Sequence, residues 1–251
     1  MSSDLYVPAS GAIERARELD VVANNLANME TNGYRKIQPL FEEFLGRSDM
    51  RKPGQAPEAV YPSPRVIPVS KAFVSSAGTG ESQRGGTLRK TEAPLDMAIE
   101  GDGFFVLNTA QGLRYTRDGH FTRNPDGILV ANDGSPVMTD RGPLPLGPGS
   151  ITVSSDGTLS SGGQDLGRLQ LVRFEPGAEL TRQGTNRYQA KTAGVAAAPK
   201  VLQGTLESSN VKPLSEMIAL MQIQRNYDAL NEVIRSYREI GARDLDVGRS
   251  G

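Results

Sequence analysis

The chain has 251 residues, a net charge of -1, 37% hydrophobic residues and no cysteine. A near-neutral balance argues against general nucleic-acid or anionic-membrane binding, and the missing cysteines exclude disulfides and thiolate metal sites. No apolar run reaches the length of a membrane span, and the opening MSSDLYVPASGAIERARELD lacks the basic-then-apolar order of a secretory signal peptide.

The first expected element is a helix. Leu5, Ala9, Ala12, Ala16, Leu19, Ala23 and Leu26 follow one another at alternating steps of four and three, the spacing of a coiled-coil seam. Most of these knobs are alanine, so a partner helix can approach closely. The helix is expected to stop at Thr31-Asn32-Gly33, with Gly33 as a left-handed cap. Its last two turns carry Asn24, Asn25 and Asn28, although asparagine competes with the helix for backbone hydrogen bonds. On a helical wheel the three fall within an arc of about 100°, opposite Leu19, Ala23 and Leu26. They read as a polar stripe that meets other chains or lines a wet channel.

The segment 35–90 follows as a connector. From residue 46 onward it is rich in Pro, Gly and Ser, as in KPGQAPEAVYPSP and SSAGTGESQRGG. Such a composition is extended or weakly ordered in isolation, and is expected to lie along neighbouring subunits.

Residues 91–206 read as short strands. Asp-Gly pairs at 102–103, 118–119, 126–127, 133–134 and 156–157 mark tight turns between β-prone runs. LRYTRDGHFTR and HFTRNPDGILVA read as successive hairpins. The expectation is an antiparallel sandwich or barrel-like domain. The aspartates lack the offsets of a calcium loop. His120 is the sole histidine, and no nucleophile-elbow, phosphate-loop or zinc-protease motif occurs. No catalytic, cofactor-binding or metal residue is therefore expected. Arg114, Arg117 and Arg123 read as a solvated or subunit-facing strand surface.

The chain closes on a second helix within 207–251. Leu220, Ile223, Tyr227, Leu230, Ile234 and Tyr237 form a seam of bulkier knobs, complementary in volume to the first. Ser208, Ser209 and Asn210 are candidate caps, and Pro213 suits a first turn. The two terminal helices are expected to pack on each other. Ile13, Val22, Met217, Ile218 and Met221 lie off the seams; they call for further partners or for burial against the middle domain. The predicted class is α+β. The helices of 1–34 and 207–251 form a coiled-coil-like layer, and 91–206 is a central antiparallel all-β domain.

Three stretches resemble the axial proteins of the bacterial flagellum, in particular the rod proteins of the basal body. ANNLANMETNGYRK carries Asn24, Asn25, Leu26, Ala27, Asn28, Thr31, Gly33 and Tyr34 of the N-terminal signature. APLDMAIEGDGFFVL, with YTRDGHFTRNPDGILVANDGSPV after it, is the second stretch. LESSNVKPLSEMIALMQIQRNYDALNEVI carries Glu207, Ser209, Asn210, Val211, Gln224, Arg225 and Tyr227 of the C-terminal signature. Two features depart from the pattern: Pro213, and the longer ending RSYREIGARDLDVGRSG.

The resemblance implies a non-enzymatic subunit of the rod, a helical tube that crosses the periplasm and carries motor torque to the hook. The implied partners are other copies of the chain, other axial proteins and the flagellar type III export apparatus, which takes up its cargo without a cleaved signal. No cofactor, nucleic acid or membrane span is implied. Length leaves the proximal and distal rod types. The opening resembles the proximal type more, and the Gln224-Arg225-x-Tyr227 run is at least as similar to the distal type; the proximal type is favoured, with the distal type as the alternative. Readings from other classes are a carbohydrate- or cell-wall-directed enzyme with helical ends, and a soluble coiled-coil adaptor. If the termini pack mainly between subunits, they should be poorly ordered in a monomer.

Overall fold

The computed structural model describes residues 6–44, 73–82, 84–147, 149–175, 177–184 and 186–247. It has a helix at each end, α1 (Tyr6–Ala27) and α2 (Pro213–Val247), and a central run of strands in which every pairing with a defined register is antiparallel. Two compact units are present. One gathers Met1–Val21, Ile37–Gly80 and Met221–Gly251; the other gathers Val22–Lys36 and Glu81–Leu220.

In the first unit the two helices touch. A Cβ on Gly11 would lie 3.6 Å from Leu230, so α1 offers α2 bare backbone at this point. On α1, Ala12 is buried and Ala9, Ala16 and Leu19 are half-buried, while Ile13 is exposed. On α2, Ile223, Tyr227, Leu230 and Ile234 are half-buried, while Met221, Val233 and Tyr237 are exposed. Leu5 lies outside the described residues. Within the segment 35–90, strands Ile37–Phe44 and Phe73–Glu81 pair with each other.

The second unit is built on a six-stranded sheet. Its order is Leu180–Gln183, Arg187–Ala190, Gly112–Thr116, Phe104–Thr109, Leu171–Arg173 and Val195–Ala196. The apolar run Phe104-Phe105-Val106-Leu107 is buried throughout. Successive strand side chains point to opposite faces, and this strand separates two cores accordingly. Phe105 and Leu107 join Met97, Leu129, Leu159 and Val201 in the larger core. Phe104 and Val106 join Tyr115, Val172 and Tyr188 in the smaller. Edge-to-face ring pairs fix both: Phe105 on Phe121 at 5.1 Å, and Phe104 on Tyr188 at 5.5 Å.

Two turn expectations resolve differently. HFTRNPDGILVA is a hairpin, with Phe121–Arg123 paired to Leu129–Ala131 and Gly127 N donating to Asn124 O. LRYTRDGHFTR is not. Gly112–Thr116 pairs within the large sheet, and Phe121–Arg123 belongs to a different one. Gly119 has no positive φ; a Cβ there would meet Met97 O at 1.6 Å. This glycine serves close backbone approach rather than a tight reversal.

Helix α1 covers its seam but ends at Ala27, before the expected stop at Thr31-Asn32-Gly33. Asn28 stops it. Its side-chain amide donates to Asn24 O at 2.9 Å, and its backbone N–H is shared between Asn24 O and Asn25 O at 3.2 Å each. The side chain competes with its own backbone N–H for the Asn24 carbonyl, which weakens the last helical bond. Gly33 has φ +66°, the left-handed cap conformation, beyond this turn.

Candidate assembly site around Tyr34

The asparagine stripe does not face away from the chain. Asn25 is fully buried, Asn28 nearly so, and Tyr34 is 1% exposed beneath them. Tyr34 Oη lies 2.9 Å from Asn24 Oδ1 and 3.1 Å from Asn25 Oδ1. Asn25 Nδ2 reaches Glu216 Oε2 at 3.5 Å, and Glu216 is ion-paired with Lys36. At this end of α1, Asn25 and Asn28 are inside and Asn24 is exposed at the edge, while the seam residue Ala23 is exposed and Leu26 is half-buried. The cause is the turn after α1. It folds the chain back so that Tyr34 inserts under the last helical turns, and its hydroxyl needs acceptors there. Asn28 Oδ1 accepts from Thr31 Oγ1 at 3.2 Å and closes the turn; Ala27, just before it, is exposed.

The C-terminal signature residues meet the same place. Gly33 N donates to Glu207 O at 2.8 Å, and Asn210 N to Tyr34 O at 3.3 Å. Asn210 is not a helix cap. Its side chain accepts from Lys36 N at 2.6 Å and donates to Arg84 O at 2.6 Å. Ser209 Oγ accepts from Val211 N instead of a helical N–H. The first turn of α2 carries Glu216, whose charge suits a helix N-terminus. Val211 is buried, Leu220 and Tyr227 are half-buried, and Gln224 and Arg225 are exposed.

Three arginines complete the node. Arg182 Nε donates to Glu81 at 2.6 Å and its Nη2 to Arg35 O at 2.7 Å. Its guanidinium stands 4.5 Å from the Tyr34 ring centroid and 5.7 Å from that of Tyr188. Arg117 donates to Ile99 O at 3.2 Å and Gly101 O at 2.5 Å, and pairs with Glu207 at 3.4 Å. Arg35 and Arg117 lie 5.7 and 5.6 Å from the Phe104 ring. One buried N–H on each of Arg35, Arg117 and Arg182 has no oxygen acceptor; aromatic π faces stand beside these cations instead. Burial lowers the Arg117 pKa, partly offset by Glu207. Burial also raises the Tyr34 pKa, against the opposing effect of Arg182.

Arg114 and Arg117 therefore correct the reading of a solvated arginine surface. Both are buried, because each carries its own acceptors: Gln183 for Arg114, and the Ile99 and Gly101 carbonyls for Arg117. Arg123 is exposed, with Gly149 O at 3.3 Å. Lys36, Glu216, Arg182, Glu81 and Tyr188 were not selected from the sequence as site residues. Lys36 lies two residues after Tyr34 of the N-terminal motif, and Glu216 sits at the first turn of a helix; their local sequence carries no other signal.

Two other surfaces stand out in the described residues. A polar groove of about 480 Å³ is lined by residues that include Glu30, Asp118, His120, Asp133, Asn186 and Arg187. Its groups are tied to one another or to neighbours. Asp118 accepts from His120 N at 3.0 Å and Asn186 Nδ2 at 2.7 Å, Asp133 pairs with Arg187, and His120 Nδ1 lies 2.7 Å from the buried Asp96. Burial pushes the Asp118 carboxyl above its ordinary range. The second surface is on α2, where Leu214, Met217, Ile218 and Met221 are exposed. Their spacing places them on one helix face, distinct from the Leu220, Ile223 and Tyr227 seam.

Family comparisons agree along the chain. "Flagella basal body rod protein" matches residues 5–35, "Flagellar hook protein FlgE/F/G D1 domain" 98–161, and "Flagellar basal body rod FlgEFG protein C-terminal" 202–243. The flagellar basal-body rod protein FlgF of Caulobacter vibrioides is 36% identical over 247 residues, covering 96% of this chain and 95% of that one. The chain belongs to the flagellar basal-body rod protein family. FlgF of Mesorhizobium japonicum is 31% identical, covering 94% of this chain and 93% of its own. FlgG of Buchnera aphidicola is 30% identical, covering 91% and 93%. This is a structural rod subunit of FlgF/FlgG type, and similarity favours FlgF over FlgG. Its place is the flagellar basal body, in assembly with other axial proteins. No described helix is long and apolar enough to cross a membrane.

Proposed function

We propose that the chain is a non-catalytic subunit of the proximal rod, built into a helical tube that carries motor torque toward the hook. The terminal segments 1–34 and 207–251 supply an inner coiled-coil layer, and 91–206 stands outside it. The observation that carries this reading is the apolar surface left open on both helices: Ile13 on α1, and Leu214, Met217, Ile218 and Met221 on α2. A monomer that exposes such helix faces gains by covering them, and a heterologous contact repeated without closure generates a filament. The contact of Gly11 with Leu230 supports a close helix pair as the unit that is repeated. Partners are further copies of the chain and adjacent axial proteins, reached after type III export without a cleaved signal. The enzymatic alternative draws less support. Asp118 and Asp133 line one groove, yet Asn186 and Arg187 already hold them.

The test is Leu26→Asp with Ile234→Asp in the full chain. The double variant is expected to be absent from basal bodies while its β structure stays folded by circular dichroism. Normal incorporation would sink the seam argument.

A further inference from the structure

The node around Tyr34 joins five stretches of chain that are distant in sequence: 24–36, 81–86, 117, 182–188 and 207–216. The end of α1 is held through Asn24, Asn25 and Asn28, and the start of α2 through Glu216. Both attach to the strands through Glu207 with Arg117, and through Arg182. Arg182 reaches two of the other stretches, through Glu81 and through the Arg35 carbonyl with the Tyr34 ring, and stands beside Tyr188 of its own. A flat, forked cation can do this; an ammonium can occupy only one of those positions at a time.

Resting on the rod reading, we infer that this node is a coupling already formed in the free subunit, with Arg182 as its positioning residue. The N-terminal signature then serves the subunit's own chain rather than a neighbour. Because α1 and α2 are continuous helices, a twist applied along them enters the node at Asn25 and Glu216. It leaves through Arg117 and Arg182 into the sheet. Buried polar networks tolerate few alternative arrangements, so the node holds one angle where an apolar junction would slip. Assembly orders the outer helical surfaces; it does not have to build this joint.

The experiment uses the full chain with Arg182→Ala, Arg182→Lys and Tyr34→Phe. Hydrogen exchange of the unassembled soluble subunit is read at residues 22–36 and 207–216. The wild type is expected to protect these amides, and Arg182→Ala to lower protection by about tenfold or more, with Arg182→Lys between the two. In cells carrying each variant as the sole copy, the subunit is expected in basal bodies at wild-type level. A larger fraction of those motors should stop turning their filaments in viscous medium. Wild-type amides at 22–36 that exchange as freely as unfolded chain would overturn the inference, as would Arg182→Ala motors that hold as well as wild type. Should Arg182→Ala fail to incorporate, Tyr34→Phe decides by the same two readouts, since it removes one hydroxyl and keeps the ring. Absence of the wild-type chain from basal bodies would instead refute the rod reading.

Discussion

Gly33→Ala tests the docking of the N-terminal signature most economically. Gly33 has φ +66°, a conformation that disfavours an L-residue by about 1–2 kcal/mol. The position is also closed on its outer side. A Cβ there would lie 2.5 Å from Arg117 C and 2.5 Å from Asp118 N. Both are backbone atoms and cannot swing aside like a flexible side chain. Relief requires the turn to lift, which breaks the 2.8 Å bond from Gly33 N to Glu207 O, worth about 1 kcal/mol net. Together these terms destabilise the local fold by about 3 kcal/mol, roughly a hundredfold in an opening equilibrium. Gly134→Ala is the control. It has φ +81° but nothing within 4 Å of its Cβ, so only the conformational part applies. Native-state hydrogen exchange resolves each site separately, which matters in a two-unit chain that need not unfold in one step. The expected result is a loss of protection across 31–36 in Gly33→Ala that is about fivefold larger than the loss around 131–135 in Gly134→Ala, the factor set by the lost hydrogen bond. Equal losses would refute the close approach on which the node rests.

Two further outcomes follow from the same geometry. Lys36→Met leaves the buried Glu216 carboxylate without its ion pair, and is expected to destabilise by about 2 kcal/mol, discounted because Lys36 is part-exposed. Adding Glu216→Gln should recover part of that loss, and a double-mutant cycle read by urea unfolding checks it. Asp118 has its carboxyl pKa raised by burial, so the folded state holds its proton more tightly than the unfolded state does. Stability contributed by that proton is present at acid pH and lost as pH rises from the ordinary carboxylate range through the raised value. Asp118→Asn should remove this loss, so its urea midpoint should gain on wild type as pH rises above the ordinary carboxylate range; parallel shifts in both proteins would contradict the assignment.

Much of the architecture was legible in the residues. The two terminal helices show in their apolar spacing, and the doubly buried strand in Phe104-Phe105-Val106-Leu107, since periodicity reports which faces are apolar. It does not report what lies opposite a polar face. Asn25 finds Glu216 at 191 positions along the chain, and no local pattern encodes that distance. The same limit hid Arg117 and Arg182. An arginine in or beside a strand reads as exposed until carbonyls, carboxylates and rings from other segments gather around it. Asp118-Gly119 carried turn chemistry in its composition, whereas the glycine answers a steric demand from Met97, which lies 22 residues earlier.

The central claim is that this chain is a subunit of the rod. Intact basal bodies, purified from cells carrying a tagged full-length copy and imaged by cryo-electron microscopy, test it most directly. The account predicts density for the chain in the proximal rod, with the two helices innermost and the strands outside them. Tagged chain found in the hook or free in the periplasm, with rods complete without it, would contradict it.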